Sequence, residues 1–224
     1  MKKIIVFFVL IATFFSCAED EAGNFSGRFG SFLDSRDGHQ YKWVNINGQI
    51  WMAENLAYLP AINNNSGYVV YNYAGTNVTE AKSTENYQKY GVLYFGSVAS
   101  EACPAGWHLP ADQEWEQLAE FVSEDYGVCY KIDDYDWGGV GIHLKSTSGW
   151  FGDGNGTDDY GFNALPSGVY NEPTYPTGKS CFWWCQTTSE YRTKFQRGLL
   201  YDSNILYNNP KTDTHPVSIR CIKD

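Results

Sequence analysis

The chain has 224 residues and a formal net charge of −10 at pH 7, from 16 basic and 26 acidic side chains. This acidic excess argues against nucleic acid or an anionic membrane surface as a partner, because both would repel it. The 8 Trp, 17 Tyr and 13 Phe suggest glycan binding, since flat rings can stack on sugars, although core packing accounts for most of them.

The beginning of the chain predicts an export signal. Lys2 and Lys3 precede an apolar run over residues 4–15. As a helix, that run would reach about 18 Å, which is too short for a bilayer core of about 30 Å. We therefore assign residues 1–16 to a secretory signal peptide rather than to a membrane span.

Cys17 follows the signal peptide directly. Its junction with Ser16 resembles the lipobox read by lipoprotein signal peptidase, although Phe14 stands where leucine is usual. We predict cleavage before Cys17 and lipidation of this cysteine; the alternative is an ordinary signal peptide followed by a chance cysteine. Residues 18–21 resemble the surface-export signal of lipoproteins from Bacteroides-like bacteria, although such acidic runs are common in solvated linkers.

Together these features predict a surface-exposed outer-membrane lipoprotein that touches the membrane through its lipid anchor only. Residues 17–33 are interpreted as the lipidated cysteine and a flexible tether, because they lack periodicity and carry three glycines. No internal repeat or second linker follows. Residues 34–224 are therefore assigned to one domain.

The clearest local structure is a β-hairpin over residues 41–52. Asn47 and Gly48 separate two β-rich runs. Asn-Gly is the strongest short hairpin signal, because both turn residues must adopt positive φ. A two-residue loop would pair Ile46 with Gln49.

Two short helices are predicted from apolar residues spaced i, i+3, i+4 and i+7. The first covers residues 95–102. The second begins near Asp112 and carries Trp115, Leu118, Ala119 and Val122 on one face.

The rest of the domain is predicted to consist of loops and short strands. The loops are residues 60–89, with a short strand at 68–73, and residues 129–175; the later strands are residues 180–187, 195–201 and 216–222. A hairpin, two helices, long loops and short strands predict an α+β fold.

The chain has five cysteines besides Cys17, and export would place them where disulfides form. An odd number leaves at least one thiol free or paired between chains. In a strand, Cys181 and Cys185 would have Cα atoms about 13 Å apart, beyond the roughly 7 Å limit for a bridge. Cys129 could pair with either of them, and the sequence does not choose between the two.

Eight segments occur in an order that resembles the Fibrobacter succinogenes major paralogous domain family. They include Trp-Met-Ala-Glu-Asn-Leu-Ala-Tyr and Ala-Cys-Pro-Ala-Gly-Trp-His-Leu-Pro, and they occupy residues 37–42, 51–58, 90–94, 102–110, 144–150, 156–166, 182–184 and 218–224. The resemblance implies an exported lipoprotein with a C-type-lectin-like fold, in which short antiparallel sheets, two helices and long loops follow a β-hairpin. It implies little about activity, because the family's molecular function is largely undefined.

The resemblance also implies one disulfide, since Cys103 and Cys221 match cysteine positions of the family. This bridge would tie the helical region to the last strand and would stabilise the fold by about 4–5 kcal/mol in the chain-entropy model. Cys129, Cys181 and Cys185 are departures from the family pattern.

Three residues are candidates for ligand binding. Trp137 is the freest tryptophan of the loop region, whereas Trp150 lies in a family motif and is better explained by core packing. Glu172 and Pro173 resemble part of the Glu-Pro-Asn sugar and calcium motif of C-type lectins, but Thr174 replaces the asparagine. Calcium-dependent sugar binding of that kind is therefore disfavoured.

Asp153, Asn155 and Asp158 are the candidate metal ligands. Their oxygen side chains lie among glycines, and Ca²⁺ takes six to eight oxygen ligands from such flexible loops. The EF-hand pattern fails, however, because Asp158 stands where glycine is required. Stretches rich in Gly, Asp and Asn are usually turns held by their own side chains, so no cofactor is assigned with certainty.

No catalytic residue is predicted, since the common hydrolase, metalloprotease and phosphate-binding motifs are missing. The sequence favours a non-enzymatic, lipid-anchored surface module that binds a glycan or a protein, with a slight preference for a glycan. One alternative is a structural component of an envelope assembly. Another is a thiol-dependent enzyme related to formylglycine-generating enzymes. Those enzymes use a pair of cysteines near the C-terminus, which Cys181 and Cys185 of this chain superficially resemble.

Overall fold

The structure is a computed structural model that describes residues 25, 27–127, 129–133, 135–188, 194–211 and 215–224. The predicted signal peptide and the predicted lipidation site, Cys17, lie outside these residues. Within the described ranges, no helix is long and apolar enough to cross a membrane.

The described part of the chain folds into short strands and helices. The strands are β1 (Phe29–Asp34), β2 (His39–Ile46), β3 (Gln49–Met52), β4 (Tyr68–Val69), β5 (Leu93–Tyr94), β6 (Trp107–His108), β7 (Tyr130–Lys131), β8 (Trp137–Gly138), β9 (Ser180–Thr188), β10 (Lys194–Leu200), β11 (Tyr207–Lys211) and β12 (Ile222–Lys223). The helices are α1 (Val78–Lys82), α2 (Glu85–Tyr90), α3 (Gly96–Ala99), α4 (Asp112–Tyr126) and α5 (Val140–Leu144). The predicted α+β class is confirmed.

The largest sheet has five strands in the order β1-β2-β3-β12-β6, and every neighbouring pair is antiparallel. The predicted hairpin forms its β2–β3 part, with Ile46 opposite Gln49 as expected. Asn47 and Gly48 have φ angles of 51° and 87°, so the turn has the predicted positive φ at both positions.

The predicted tether is wrong from Phe29 onward, because β1 pairs with β2 along its whole length. Gly30 makes this pairing possible, since a Cβ there would overlap the indole of Trp43. Phe25 is already docked, with its ring 5.1 Å from that of Trp43 and the Nζ of Lys223 5.4 Å from its centroid. The folded domain therefore begins before residue 34.

A second sheet, in the order β11-β10-β9, places β9 between two buried clusters. Phe182 and Trp184 face one cluster, while Cys181, Trp183 and Cys185 face the other. This alternation is the period of two that a strand buried on both faces requires.

The strands predicted at 180–187 and 195–201 are confirmed as β9 and β10, whereas β11 was not predicted. The strand predicted at 216–222 is mostly wrong. It is reduced to isolated bridges at Val217 and Ser218, followed by β12. Likewise, the strand predicted at 68–73 is only the two-residue β4.

Helix α4 is confirmed, and its predicted apolar face is buried. The predicted helix over 95–102 is shorter, since α3 ends at Ala99. The loop predictions for 60–89 and 129–175 are wrong where α1, α2 and α5 form. Side chains of Asn77 and Thr84 accept hydrogen bonds from the first backbone N–H groups of α1 and α2, and such caps stabilise helices too short to show apolar periodicity.

Cys103 and Cys221 form the predicted disulfide. The expectation that Cys129 pairs with Cys181 or Cys185 is wrong, because all three are free thiols. Cys181 and Cys185 are fully buried on the same side of β9, so they pack as small apolar residues.

A buried polar network around Arg220 joins distant segments of the sequence. Its guanidinium donates to the carbonyl of Phe162 and, at 3.0 Å, to the side-chain oxygen of Asn55. The same oxygen accepts from Trp183 Nε1 at 2.9 Å, while Asn55 Nδ2 donates to Ser218 Oγ at 3.2 Å. Residues from four of the recognised segments thus meet at one point of the core.

A second network surrounds Arg197. Its guanidinium donates at 2.6 Å to Asp112 and to Glu116 of α4, and at 2.9 Å to the carbonyl of Tyr135. Partial burial acts to raise the pKa of Glu116, but hydrogen bonds from Lys131, Trp137 and Arg197 outweigh it and hold this pKa below its ordinary value. This network attaches α4 to the β9–β10 sheet.

Candidate functional site

A groove of about 590 Å³ lies between two short turns of similar sequence. One turn contributes Tyr71, Asn72, Tyr73 and Ala74, and the other contributes Tyr170, Asn171, Glu172 and Pro173. We call this feature the tyrosine groove. Its volume lies within the range typical of small-molecule sites.

Each wall begins with a Tyr-Asn pair in which the asparagine turns the backbone. Asn72 and Asn171 have φ angles of 59° and 56°, in the left-handed region that asparagine tolerates better than most residues. The rings of Tyr71 and Tyr170 are half-buried and pack against one small cluster that includes Phe95. The two walls therefore share an apolar base.

The first wall is fixed by helices α1 and α2. Tyr73 donates its phenol hydrogen bond to Glu80 of α1 at 2.9 Å, and Asn86 of α2 donates to the carbonyl of Tyr71 at 3.0 Å. Partial desolvation and the Glu80 carboxylate both raise the pKa of Tyr73 above its ordinary value. A Cβ at Gly75 would lie 2.5 Å from the same phenol oxygen, so this position leaves no room for a larger residue.

The second wall is a compact turn closed by its own backbone. Val169 N–H donates to the carbonyl of Tyr175 at 2.8 Å, and Tyr175 N–H donates to that of Glu172 at 3.0 Å. Glu172 Oε1 accepts from Thr174 N–H at 3.2 Å, while its Oε2 lies 3.9 Å from His215 Nε2. Thr174 and His215 thus both contact the Glu172 carboxylate at the edge of the groove.

The composition of the groove suits a polar ligand with flat hydrophobic faces. Three tyrosine rings offer stacking surface, two asparagine amides offer donors and acceptors, and Glu172 offers an acceptor. The eight lining residues include no cysteine, serine, threonine or histidine.

Of the three predicted ligand-binding residues, the structure places only Glu172 in the groove. Trp137 is wrong as a free surface ring, because it is 8% exposed and donates through Nε1 to Glu116 at 3.0 Å. Trp150 is also unsuitable, because it is 5% exposed and donates to the carbonyl of Ala164 at 3.0 Å. Both indoles pack in a buried cluster of the core.

The candidate metal ligands are placed in a turn-rich loop. Asp153 and Asn155 line a separate cavity of about 380 Å³. Asn155 Oδ1 accepts from Trp150 N–H at 3.0 Å, and Asp158 Oδ1 accepts from Asn163 N–H at 2.6 Å. The part of the chain that the structure describes contains no group of three or more His, Cys, Asp or Glu side chains that could hold a metal ion. Calcium binding thus gains no structural support there.

Sequence reasoning missed Tyr71, Tyr73 and Tyr170. The first two lie in the short strand predicted at 68–73 within a long loop, and the third lies in the loop predicted over 129–175. A partial signal was present, because Tyr-Asn occurs at 71–72 and 170–171 beside turn-forming residues, but it also occurs at 207–208, outside the groove. That the two turns face each other depends on long-range packing, which no local pattern shows.

Comparison with known proteins identifies the family of the domain. The family model described as the Fibrobacter succinogenes major domain matches residues 44–223, which is most of the chain. Neither the curated proteins nor the solved structures gave a match. The chain therefore belongs to the Fibrobacter succinogenes major domain family.

Proposed function

We propose that this protein is a non-enzymatic, lipid-anchored cell-surface module that binds a glycan in the tyrosine groove. The observation that carries the proposal is the groove itself, in which Tyr71, Tyr73 and Tyr170 are held by packing and hydrogen bonds beside Asn72 and Glu172. A pyranose ring presents one apolar face and a rim of hydroxyl groups. Tyrosine faces can stack on the first, and amide and carboxylate groups can bind the second.

The rigidity of the groove supports tight recognition. Free side chains must lose rotamer freedom on binding, which costs roughly 0.5–1.5 kcal/mol for each mobile side chain. Tyr73 is already hydrogen-bonded and Tyr71 and Tyr170 are already packed, so much of this cost is met when the domain folds.

We further propose that Cys17 carries the lipid and that the acidic residues after it act as the signal for export to the cell surface, as the sequence predicts. For the fold, we propose the C-type-lectin-like class implied by the family. Short antiparallel sheets and a disulfide linking Cys103 to Cys221 are compatible with it. The outer membrane, facing outward, is the proposed location.

Glycan-array binding by the full chain tests the proposal. We expect the wild-type protein to bind at least one glycan class, and Tyr71→Ala and Tyr170→Ala each to weaken that binding about tenfold, because each variant loses one stacking face and a loss of about 1.4 kcal/mol is tenfold in affinity. Tyr130→Ala is the matched control, since Tyr130 is 62% exposed and lies outside the groove. Equal loss in Tyr130→Ala, or a blank array with folded protein, would contradict the proposal.

Two other functions are weaker alternatives. A structural role in an envelope assembly predicts a stable protein partner and no glycan ligand. A thiol-dependent enzyme requires a reactive cysteine, yet Cys181 and Cys185 are 0% exposed and burial raises the pKa of both thiols above the ordinary value. Reactive cysteines instead have lowered pKa values and partial exposure.

A further inference from the structure

We infer that the open face of β1 lies against the membrane that carries the lipid anchor. The folded domain then contacts the bilayer surface itself, in addition to its attachment through the acyl groups on Cys17. The inference rests on the proposed lipidation of Cys17. It adds a docking surface for phospholipid headgroups to a protein otherwise expected to contact the membrane through its anchor only.

The length of chain between the anchor and the domain limits their separation. Phe25 is packed against Trp43 and Trp107, with ring centroids 5.1 Å and 5.8 Å apart. Eight residue steps separate Cys17 from Phe25, and even a fully extended chain would span at most about 29 Å over that distance. The face nearest Phe25 therefore stays within about one domain diameter of the bilayer.

The strand that follows Phe25 is an open edge. Among the described residues, β1 is the first strand of its sheet and pairs only with β2, so its other side presents backbone groups that no described strand pairs. Phe29 and Leu33 lie on one face of β1, and their side chains are 56% and 60% exposed. They are among the most exposed large apolar residues of the described chain.

Cations accompany these apolar side chains, although the chain as a whole is acidic. The register places Ser31 opposite Lys42 and Leu33 opposite Gln40, on the same face as Phe29. Lys42 is exposed, and the guanidinium of Arg28 lies 5.1 Å from the Phe29 ring. Apolar side chains flanked by Lys or Arg suit the headgroup boundary, where rings enter the lipid and cations meet phosphate.

Hydrogen exchange on the lipidated full chain tests this inference in vesicles of phosphatidylcholine, whose zwitterionic headgroups carry phosphate but give no net negative surface charge to repel the acidic chain. We expect the β1 peptide to exchange about tenfold more slowly in wild type than in the double variant Phe29→Ser with Leu33→Ser, because the bilayer shields the open edge only while the patch is inserted. Phe151→Ser is the matched control, since Phe151 is also 56% exposed but lies far along the chain, and it should retain wild-type protection.

The peptide covering β2 distinguishes lost docking from a frayed strand. If β1 remained paired in the double variant, β2 would keep its wild-type protection, because β2 donates and accepts the bonds of that pairing. Equal β1 exchange in wild type and the double variant would overturn the inference.

Intact mass separates this failure from failure of the anchor. A mature chain with acyl groups on Cys17 but an unprotected β1 would refute membrane docking and leave the proposed lipoprotein intact. A chain without acyl groups would refute the proposed anchor and the docking with it. Glycan binding by the tyrosine groove is independent of either result.

Discussion

Arg197 and Arg220 are both buried, with 0% and 1% of their surfaces exposed, but they differ in what surrounds the charge. Arg197 faces the carboxylates of Asp112 and Glu116, whose side chains are 26% and 23% exposed. Arg220 faces neutral oxygens, and its guanidinium carbon lies 4.3 Å from the ring centroid of Phe162. The first site depends on ionisable groups that water can reach, and the second depends on the exact placement of dipoles.

The consequence is a difference in vulnerability. Burial lowers the pKa of Arg220 to about 10, which leaves it charged at neutral pH and in need of every acceptor around it. Removing one partner of a buried charge is costly because the charge remains desolvated. Around Arg197 the partners lie close to solvent, so water can replace a lost contact, but the carboxylates can be titrated.

The largest expected effect comes from breaking the Arg220 site at its shared acceptor. Asn55→Leu removes the oxygen that accepts from both Arg220 and Trp183, and we expect a loss of about 4–5 kcal/mol in the free energy of unfolding. Urea unfolding followed by tryptophan fluorescence would measure it. Asn65→Leu, at an exposed position, is the matched control and should change stability by only about 0.5 kcal/mol. A similar small loss in both variants would show that the network is dispensable.

The second largest effect is expected from removal of the disulfide beside the Arg220 site. Cys221 follows Arg220 directly, and its disulfide to Cys103 closes a loop with a sequence separation of 118 residues. Replacing both cysteines by alanine should cost about 4 kcal/mol, at the lower end of the chain-entropy range, since a long loop gains much freedom in the unfolded chain. The urea midpoint under non-reducing conditions reports this change. Cys129→Ala, which removes a free thiol, should leave that midpoint nearly unchanged.

The smallest effect sharpens the comparison through pH. The lowered pKa of Glu116 means that its carboxylate stabilises the fold above the unfolded-state pKa of about 4.3, and that this contribution disappears as pH falls through the folded-state value. Glu116→Gln should therefore lower the free energy of unfolding by about 1 kcal/mol at neutral pH and by almost nothing near pH 3. The loss at neutral pH is small because Glu116 is partly exposed and solvent screens its charge.

A variant at the other arginine provides the control for that titration. Ser218→Ala removes neutral hydrogen bonds to Asn55 and Ser167, so its stability deficit should be the same at neutral and acid pH. A pH-dependent deficit in Ser218→Ala, or a constant one in Glu116→Gln, would reverse the assignment of ionisable and neutral support.

Features with strong local signals could be predicted from the sequence. The hairpin turn at Asn47 and Gly48 follows from backbone sterics, and the buried face of α4 follows from the apolar spacing between Trp115 and Val122. The disulfide between Cys103 and Cys221 followed from the family resemblance instead. None of these required knowledge of distant contacts.

Features that depend on long-range partners could not be predicted. β1 reads as a glycine-containing tether because its stability comes from pairing with β2 and from the Trp43 ring beside Gly30. Trp137 reads as a free ring because its partner Glu116 lies 21 residues earlier in the sequence. For the tyrosine groove, the aromatic content of the sequence suggested stacking on a ligand, and Glu172 was predicted as one binding residue. That Tyr71 and Tyr170 lie on opposite walls of one groove could be seen only in the folded structure.

The contact between Phe25 and Lys223 has a consequence for protein engineering. The Nζ of Lys223 lies 5.4 Å from the centroid of the Phe25 ring, so the first and last described parts of the folded domain lie close together. Domains with adjacent entry and exit tolerate insertion and circular permutation. This one could therefore be grafted into a surface loop of a carrier protein through two short linkers, or could have its ends joined and a new opening cut elsewhere.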